Sequence, residues 1–310
     1  LARVVAPSIL AKRRPAFDRF LCIGGLVGCL LLLSACGDSK SYYQPRPYEP
    51  GELAVFRAIP HGLELSYHVA EKRQIAFYVP PLAGAEEPPE RLWMMFGGRK
   101  SVALEWLPWL KQASDPGAGF LLVDFPGYGL SAGPPRAGSM LASSLKAFES
   151  LVAHFGMEYE DLSSRVCLLG HSLGTGAALQ FAPLVRAQRI VLISPFTDMH
   201  DVILHFVGPF WAGIVHALNG EDYDNRARLG ELARRDPPPS LWIYHGVTDR
   251  VLPVWMGRDL AMNYPRTVVY REFPWNGHSH FLAKCLPAAF APSETERAEE
   301  IALRRNGGQP

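Results

Sequence analysis

Cysteine is scarce, five in 310 residues, which is too few for a disulfide scaffold. Neither sign of charge dominates: 31 Lys+Arg stand against 30 Asp+Glu, for a formal net charge of +1. That balance excludes a nucleic-acid binder working through a basic stripe, so no nucleic-acid partner is expected. Charged residues are only 20% and apolar ones 48%, a composition that excludes wholesale disorder. No self-similar period runs through the chain, so repeat arrays are set aside. No G-x-G-x-x-G or Walker pattern opens a helix after a strand, and no nucleotide is expected. His61, His68, His154, His200, His205 and His216 fall into no H-x-x-x-H or cysteine pairing, so neither a metal site nor any other cofactor is expected.

What is there begins with a leader. Arg3, Lys12, Arg13, Arg14 and Arg19 precede an apolar run, Phe20 to Leu33, which ends in Ser34-Ala35-Cys36. A basic region, an apolar region and small residues in that order make a secretory signal. Leu33-Ser34-Ala35-Cys36 resembles the bacterial lipobox, which implies cleavage after residue 35 and a diacylglycerol thioether (with further acylation such as palmitate) on Cys36. The alternative is an uncleaved membrane anchor, although the run is short for a span of about 20 residues. Twin-arginine export is poorly matched, because Pro15 follows Arg13-Arg14. Cleavage would leave Cys167 and Cys285 as the cysteines of the folded part, where a disulfide between them is one option. Asp38 to Gly51 is rich in Ser, Pro and Tyr without periodicity and reads as an extended tether. The expected layout is thus a leader over 1–35, a tether over 36–51 and one domain over 52–310. The implied location is a bacterial cell envelope, with the protein lipid-anchored, the outer membrane favoured over the inner one, and the body facing the periplasm.

Beyond the tether, short apolar runs alternate with helical stretches, the pattern of an α/β fold with a mainly parallel sheet. Leu53–Val55, Leu63–Val69 and Gln74–Val79 read as an antiparallel start. Arg91–Phe96, Phe120–Asp124, Val166–Leu169, Ile190–Ser194, Leu241–His245 and Thr267–Phe273 read as buried strands, on alternation and β-branched content. Val102–Ala113, Ser139–His154, Ser172–Val185 and Trp255–Asn263 read as helices. Residues 196–239 hold no strand pattern and are expected as a helical lid over the sheet. Within it Asp201–Asn219 is strongly apolar and interrupted at Gly208-Pro209, so two short helices are expected there. They serve either core packing or acyl-chain contact.

Gly170-His171-Ser172-Leu173-Gly174 stands between the Val166 strand and an Ala/Leu-rich helix. A strand turning sharply into a helix forces its central residue into a strained conformation. Flanking glycines let the backbone pass closely, leaving the Ser172 hydroxyl exposed at the strand end. The helix N-terminus offers free N–H groups to a developing oxyanion. A serine alcohol needs a base held by an acid. Downstream, the Leu241 strand leads to Asp249, and the Val268 strand leads to Gly277-His278. Both lie just past strand ends, where open α/β sheets place their sites.

Together these residues resemble the α/β-hydrolase superfamily over about Leu53 to Leu286. The motifs are Gly170–Gly174, the H-G-x-x-D-x-x-x-P stretch His245–Pro253, Gly277-His278, and Asp124-Phe-Pro-Gly-Tyr-Gly-Leu-Ser131. The resemblance implies the α/β-hydrolase fold, a mainly parallel sheet flanked by helices with a short helical lid. It also implies Ser172 as nucleophile, His278 as general base and Asp249 as the acid that orients it. The Phe-Pro-Gly-Tyr-Gly wording and short lid look like the branch of serine esterases, monoacylglycerol lipases and acyl-thioesterases. Many members carry His-Gly after the strand that supplies the second oxyanion donor, whereas here Met95-Phe96-Gly97-Gly98-Arg99-Lys100 occupies that place. The donors expected are the N–H of Leu173 and that of Gly98 or Arg99. The Arg99 and Lys100 side chains read either as solvated loop charges or as contacts to an anionic group on substrate. His280 is a rival base and Asp198 a rival acid. Asp124 is read as fixing its loop by hydrogen bonds, His171 as a neighbour of the helix start, and Cys167 as a small core residue. The function this implies is cleavage of a small-molecule carboxylic ester or thioester through an acyl-serine intermediate by a membrane-tethered enzyme that needs no cofactor. The alternatives are a serine peptidase on the same fold and a non-enzymatic binding lipoprotein.

Overall fold

Apolar runs of four to six residues, too short for a buried helix, become the strands of one eight-stranded sheet. The computed structural model describes residues 42–209, 212, 223–264 and 268–291. The leader, Cys36 and most of the second half of the Asp201–Asn219 run lie outside the described residues.

In chain order the elements are helix α1 (Pro50–Arg57), strands β1 (Leu63–Val69), β2 (Lys72–Val79) and β3 (Arg91–Phe96), a 3-10 turn at Ala103–Trp106, helix α2 (Leu107–Leu110), strand β4 (Ala118–Val123), and helices α3 (Ala137–Phe155) and α4 (Tyr159–Ser163). There follow β5 (Val166–His171), α5 (Leu173–Phe181), β6 (Arg189–Ile193), α6 (Met199–Val207), α7 (Asn225–Ala233), β7 (Ser240–Gly246), α8 (Val254–Asn263), β8 (Val268–Phe273) and α9 (Leu282–Phe290). The sheet order is β1-β2-β4-β3-β5-β6-β7-β8. β1 pairs antiparallel with β2, and β2 with β4. From β4 onward every pairing is parallel.

The strands explain their own sequences. β4, β5 and β6 are buried along their whole length, so they read as continuous apolar runs, as parallel strands covered on both faces must. β1, at the edge, alternates between more and less exposed residues. α3 packs on β1 and α5 on β5. α9 brings Phe290 edge-on to Trp93 and Phe120, with ring centroids 5.1 and 5.8 Å apart. The expected mainly parallel sheet flanked by helices is therefore present, with the C-terminal ends of β3 and β5 to β8 gathered at one pole.

Four local readings change. Leu53–Val55 is not a strand but the middle of α1. Pro50 suits a first turn, the Glu49 and Glu52 side chains cap it reciprocally, and Phe56 is buried. Residues 42–51 do not form a free tether. Tyr43 and Tyr48 are core residues, the Gln44 N–H donates to the Arg99 carbonyl at 2.9 Å, and Tyr48 donates to Asp124 at 2.6 Å. Val102–Ala113 is a 3-10 turn followed by one helical turn, because Pro108 has no N–H to continue the ladder. Ser172–Val185 divides likewise at Pro183, into α5 and a 3-10 turn at Ala182–Leu184.

In the strand-free stretch 196–239, α6 starts at Asp198, whose carboxylate caps the Asp201 N–H at 2.8 Å, and stops at Gly208. α7 is ordinary core packing: Leu229 and Leu232 are fully buried, and Asn225 donates to the Phe196 carbonyl at 2.8 Å.

Candidate active site

β5 ends at His171 and α5 begins at Leu173, so Ser172 is the single residue that must reverse the chain. Its φ of 55° and ψ of −121° lie where a side chain is strained, a cost normally met only at functional positions. The turn is possible because Gly174 has no side chain. A Cβ there would overlap the Phe96 carbonyl and lie 2.6 Å from the Gly97 oxygen. The sequence motif is thus a packing requirement between the start of α5 and the end of β3.

Asp249 leaves the end of β7 in a tight turn, with its N–H donating to the Gly246 carbonyl at 3.1 Å. Its Oδ1 accepts the Val251 and Leu252 N–H groups, each at 2.9 Å. That leaves Oδ2 to face His278 Nδ1 at 2.7 Å. His278 Nε2 lies 2.8 Å from Ser172 Oγ. The structure therefore brings together the three residues expected from the sequence, as one unbroken line from carboxylate to imidazole to hydroxyl. Because the carboxylate only accepts, Nδ1 carries the proton and Nε2 presents its lone pair to the Ser172 hydroxyl.

Asp249 is buried, which favours its neutral form. The hydrogen bonds from His245 and His278 outweigh that burial, and the carboxyl is held well below the usual carboxylate range. It is ionised wherever the histidine is to be oriented.

Three residues around this line take roles that the sequence did not assign them. Ser194 donates to the His278 carbonyl at 2.9 Å from the end of β6, where it too has a positive φ of 48°. His171 Nε2 faces the same carbonyl at 3.3 Å and Ser279 Oγ at 3.3 Å. Burial, reinforced by the neighbouring His278, pushes His171 down to about 4. It is a neutral donor that holds the histidine loop. His245, wholly buried in β7, donates Nε2–H to the Leu252 carbonyl at 2.8 Å and lies 3.5 Å from Asp249 Oδ2. Its place in the H-G-x-x-D stretch was the available signal. The loop carrying His278 crosses β7 at Gly246, where a Cβ would overlap the Asn276 carbonyl and approach the Gly277 oxygen to 2.6 Å.

Of the two second-donor candidates, Gly98 abuts the serine: a Cβ on it would lie 3.4 Å from Ser172 Cβ. The Arg99 carbonyl is turned away, accepting from Tyr128 Oη and the Gln44 N–H. Leu173 N–H opens α5, where no preceding turn supplies it an intrahelical acceptor. Gly98 is thus the candidate whose backbone lies beside Ser172.

The rival residues lie elsewhere. Asp198 caps α6 and pairs with Arg226, which also binds Asp201 and Asp259 at 2.8 and 2.7 Å. Asp198, His200 and Asp201 could converge on a cation, but the Arg226 guanidinium already pairs with both carboxylates. His280 is exposed. Asp124 is buried and accepts from Tyr48 and from the Ala103 N–H, each at 2.6 Å. It thus ties the N-terminal segment and the turn after β3 to its loop, and burial pushes its carboxyl up to about 7. Cys167 and Cys285 are free buried thiols, not a disulfide, each pushed up to about 12 by burial.

A family model described as alpha/beta hydrolase family matches residues 93–271. Human Protein ABHD12B is 29% identical over 166 residues, which are 49% of this chain and 43% of that protein. The Caenorhabditis elegans alpha/beta hydrolase domain-containing protein aho-3 is 27% identical over 156 residues, 50% of this chain and 42% of that protein. The chain spans less than half the length of these curated relatives. Among solved structures, an alpha-beta hydrolase from Vibrio vulnificus superposes with a TM-score of 0.61 at 16% identity, covering 97% of this chain and 98% of that one. A Pyrococcus furiosus esterase gives 0.56 at 14% identity, covering 86% and 98%. At these identities the likeness to the solved structures is one of fold.

Proposed function

The chain belongs to the alpha/beta hydrolase family; on that premise we propose that it is a serine hydrolase cleaving a carboxylic ester or thioester through an acyl-serine intermediate. The observation that supports this reading is the line Asp249 Oδ2, His278 Nδ1, His278 Nε2, Ser172 Oγ, with contacts of 2.7 and 2.8 Å. In the proposed reaction the Ser172 oxygen attacks the acyl carbonyl carbon as its proton moves to His278 Nε2. The carbonyl oxygen becomes an oxyanion facing the Leu173 and Gly98 N–H groups. His278 then returns the proton to the departing alcohol or thiol, leaving acyl-Ser172. A water deprotonated by the same nitrogen attacks the acyl carbon, and Ser172 leaves with the proton. Asp249 fixes the tautomer and stabilises the imidazolium formed at each step, and each backbone donor to the oxyanion is worth about 3 kcal/mol.

The test pairs a fluorophosphonate probe with a panel of p-nitrophenyl esters and thioesters of increasing acyl length. The expected result is a stoichiometric label on Ser172 and turnover, both lost in Ser172→Ala with melting unchanged. Ester turnover within tenfold of the parent in folded Ser172→Ala would refute the serine mechanism.

We also propose that Cys36 carries a lipid and holds the protein at a bacterial cell envelope, the outer membrane being favoured. The basic leader, the apolar run and Leu-Ser-Ala before Cys36 support this. One acyl chain anchors marginally and two or more do so stably, at about 0.8 kcal/mol per buried CH₂. Mass spectrometry of the mature N-terminus tests it: an unmodified Cys36 would refute it.

A further inference from the structure

Trp275 is out of place for a residue of a folded core or of an ordinary loop. It is 91% exposed, and its φ of 62° is one that glycine adopts freely and tryptophan does not. Backbone strain and an apolar ring in water both disfavour the folded molecule, and among the described residues no ring contact of Trp275 offsets them. Trp275 lies three residues before His278, on the loop leaving β8.

It is not isolated. Of the ten large apolar side chains that are exposed among the described residues, Leu130, Phe206, Val247, Val251, Trp255 and Trp275 belong to segments leaving the C-terminal ends of parallel strands. That is the pole where Ser172, Asp249 and His278 meet. The Val247 and Trp275 loops are bonded together, Val247 N–H to the Phe273 carbonyl and Thr248 N–H to the Asn276 carbonyl, each at 3.1 Å. Arg99, Lys100 and Arg250 stand on loops of the same pole, and none has a carboxylate partner among the described residues. These three side chains put positive charge on this face.

The N-terminal segment arrives at the same pole. Tyr42 packs beside Ile203, Leu204 and Val207 of α6, Tyr43 stacks edge-on to Phe125 at 5.5 Å, and Gln44 bonds to Arg99. The six residue steps from Cys36 to Tyr42 reach at most about 20 Å. A lipid on Cys36 therefore cannot let the domain hang with this pole far from the bilayer.

We propose that the catalytic pole is a membrane-docking face, seated on the interfacial layer of an anionic phospholipid bilayer with Trp275 as its wedge and Arg99, Lys100 and Arg250 against the headgroups. Tryptophan suits that layer because its ring is apolar and its indole N–H remains wet, and each cation near an anionic surface adds to the attraction. Docking would leave Ser172 open to esters drawn from the bilayer. The inference goes beyond the hydrolase reading and leans on the Cys36 anchor only for the reach of the N-terminal segment.

The test uses the full chain reconstituted in vesicles of phosphatidylcholine and phosphatidylglycerol, 7:3, with or without bromine on the acyl chains, which quenches tryptophan at the bilayer. The expected result is partial quenching in the parent, most of it lost in Trp275→Phe and in Trp275→Gly, whose backbone is relaxed at that φ. Raised salt should weaken the quenching. Soluble ester turnover should stay within twofold of the parent in both variants. No quenching in the parent, or equal quenching in both variants, would overturn the docking face. Two controls separate this from the other readings. Loss of co-sedimentation in Cys36→Ser reports the anchor, and absent soluble ester turnover with the quenching pattern intact would count against the hydrolase mechanism alone.

Discussion

Replacing Asp249 by asparagine tests the site more sharply than deleting it, because the substitution keeps the shape and reverses one hydrogen bond. Oδ1 faces two donors, the Val251 and Leu252 N–H groups at 2.9 Å each, so the amide oxygen must take that side. The amide nitrogen is then left at the Oδ2 position, 2.7 Å from His278 Nδ1. A donor facing Nδ1 requires Nδ1 to accept, which moves the imidazole proton to Nε2. That proton points at Ser172 Oγ, 2.8 Å away, and Nε2 can no longer take the serine's own. Inversion of the tautomer in a site of this kind costs a factor of roughly 10⁴, about 5.5 kcal/mol of transition-state stabilisation. The assay is kcat/KM on an activated ester whose acylation limits the rate, with circular dichroism and melting as controls. Asp249 is held below its ordinary range, so its contribution to stability is present above the unfolded value of 3.8 and is lost as pH falls through the lower folded value. Melting of Asp249→Asn should therefore fall at pH 7 and rejoin the parent in acid. Asp198→Asn, which keeps an oxygen to cap α6 and loses the charge of one arm of the Arg226 cluster, should keep kcat/KM within a few-fold. Asp249→Asn within tenfold of the parent, or Asp198→Asn the more damaged of the two, would refute the assignment of the acid.

Other outcomes follow from the same geometry. His278→Ala should remove ester turnover while His280→Ala leaves most of it, since His280 is exposed and Nε2 of His278 meets Ser172; kcat measured on both folded variants decides this. Gly174→Ala should lower stability by about 3 kcal/mol or more in chemical denaturation, because the added methyl would overlap the Phe96 carbonyl, which is backbone and cannot turn aside. Asp124, pushed up from 3.8 to about 7, binds a proton in the folded state that the unfolded chain has released. Its contribution to stability is complete below about pH 4 and is lost as pH rises through 7, on the order of 4 kcal/mol. Denaturant titrations from pH 4 to 8 should show this fall in the parent and not in Asp124→Asn, and parallel profiles would refute it.

The parts of this molecule that could be read in one dimension are those whose physics is local or whose partner is backbone. A buried parallel strand is an apolar run because both its faces are covered, so β3 was bounded to the residue and β7 within one residue at each end. Gly170 and Gly174 bracket Ser172 because the chain must pass close to itself there, a demand that any serine on such a turn would make. Leu53–Val55 went the other way: three apolar residues suit a strand or a helix equally, and the choice rested on the Glu49–Glu52 cap and on Phe56 finding Phe77, at a centroid distance of 4.8 Å. The residues that steady His278 could not be found by pattern. Ser194 is 84 positions away from it and His171 is 107, and neither has a side chain that is unusual where it stands. Only the folding of β5 and β6 side by side, with the β8 loop laid over their ends, gives Ser194 and His171 a common carbonyl to hold. The docked segment at 42–51 failed for a related reason. Its tyrosines and prolines look like a linker until the loop leaving β4 provides Asp124, Phe125 and Tyr128 as partners, and only a contact between distant parts of the chain turns that composition into core. The catalytic line depends on this second kind of contact throughout: the sequence supplied the serine, the acid and the histidine, and the sheet supplied the 2.7 and 2.8 Å that make them one device.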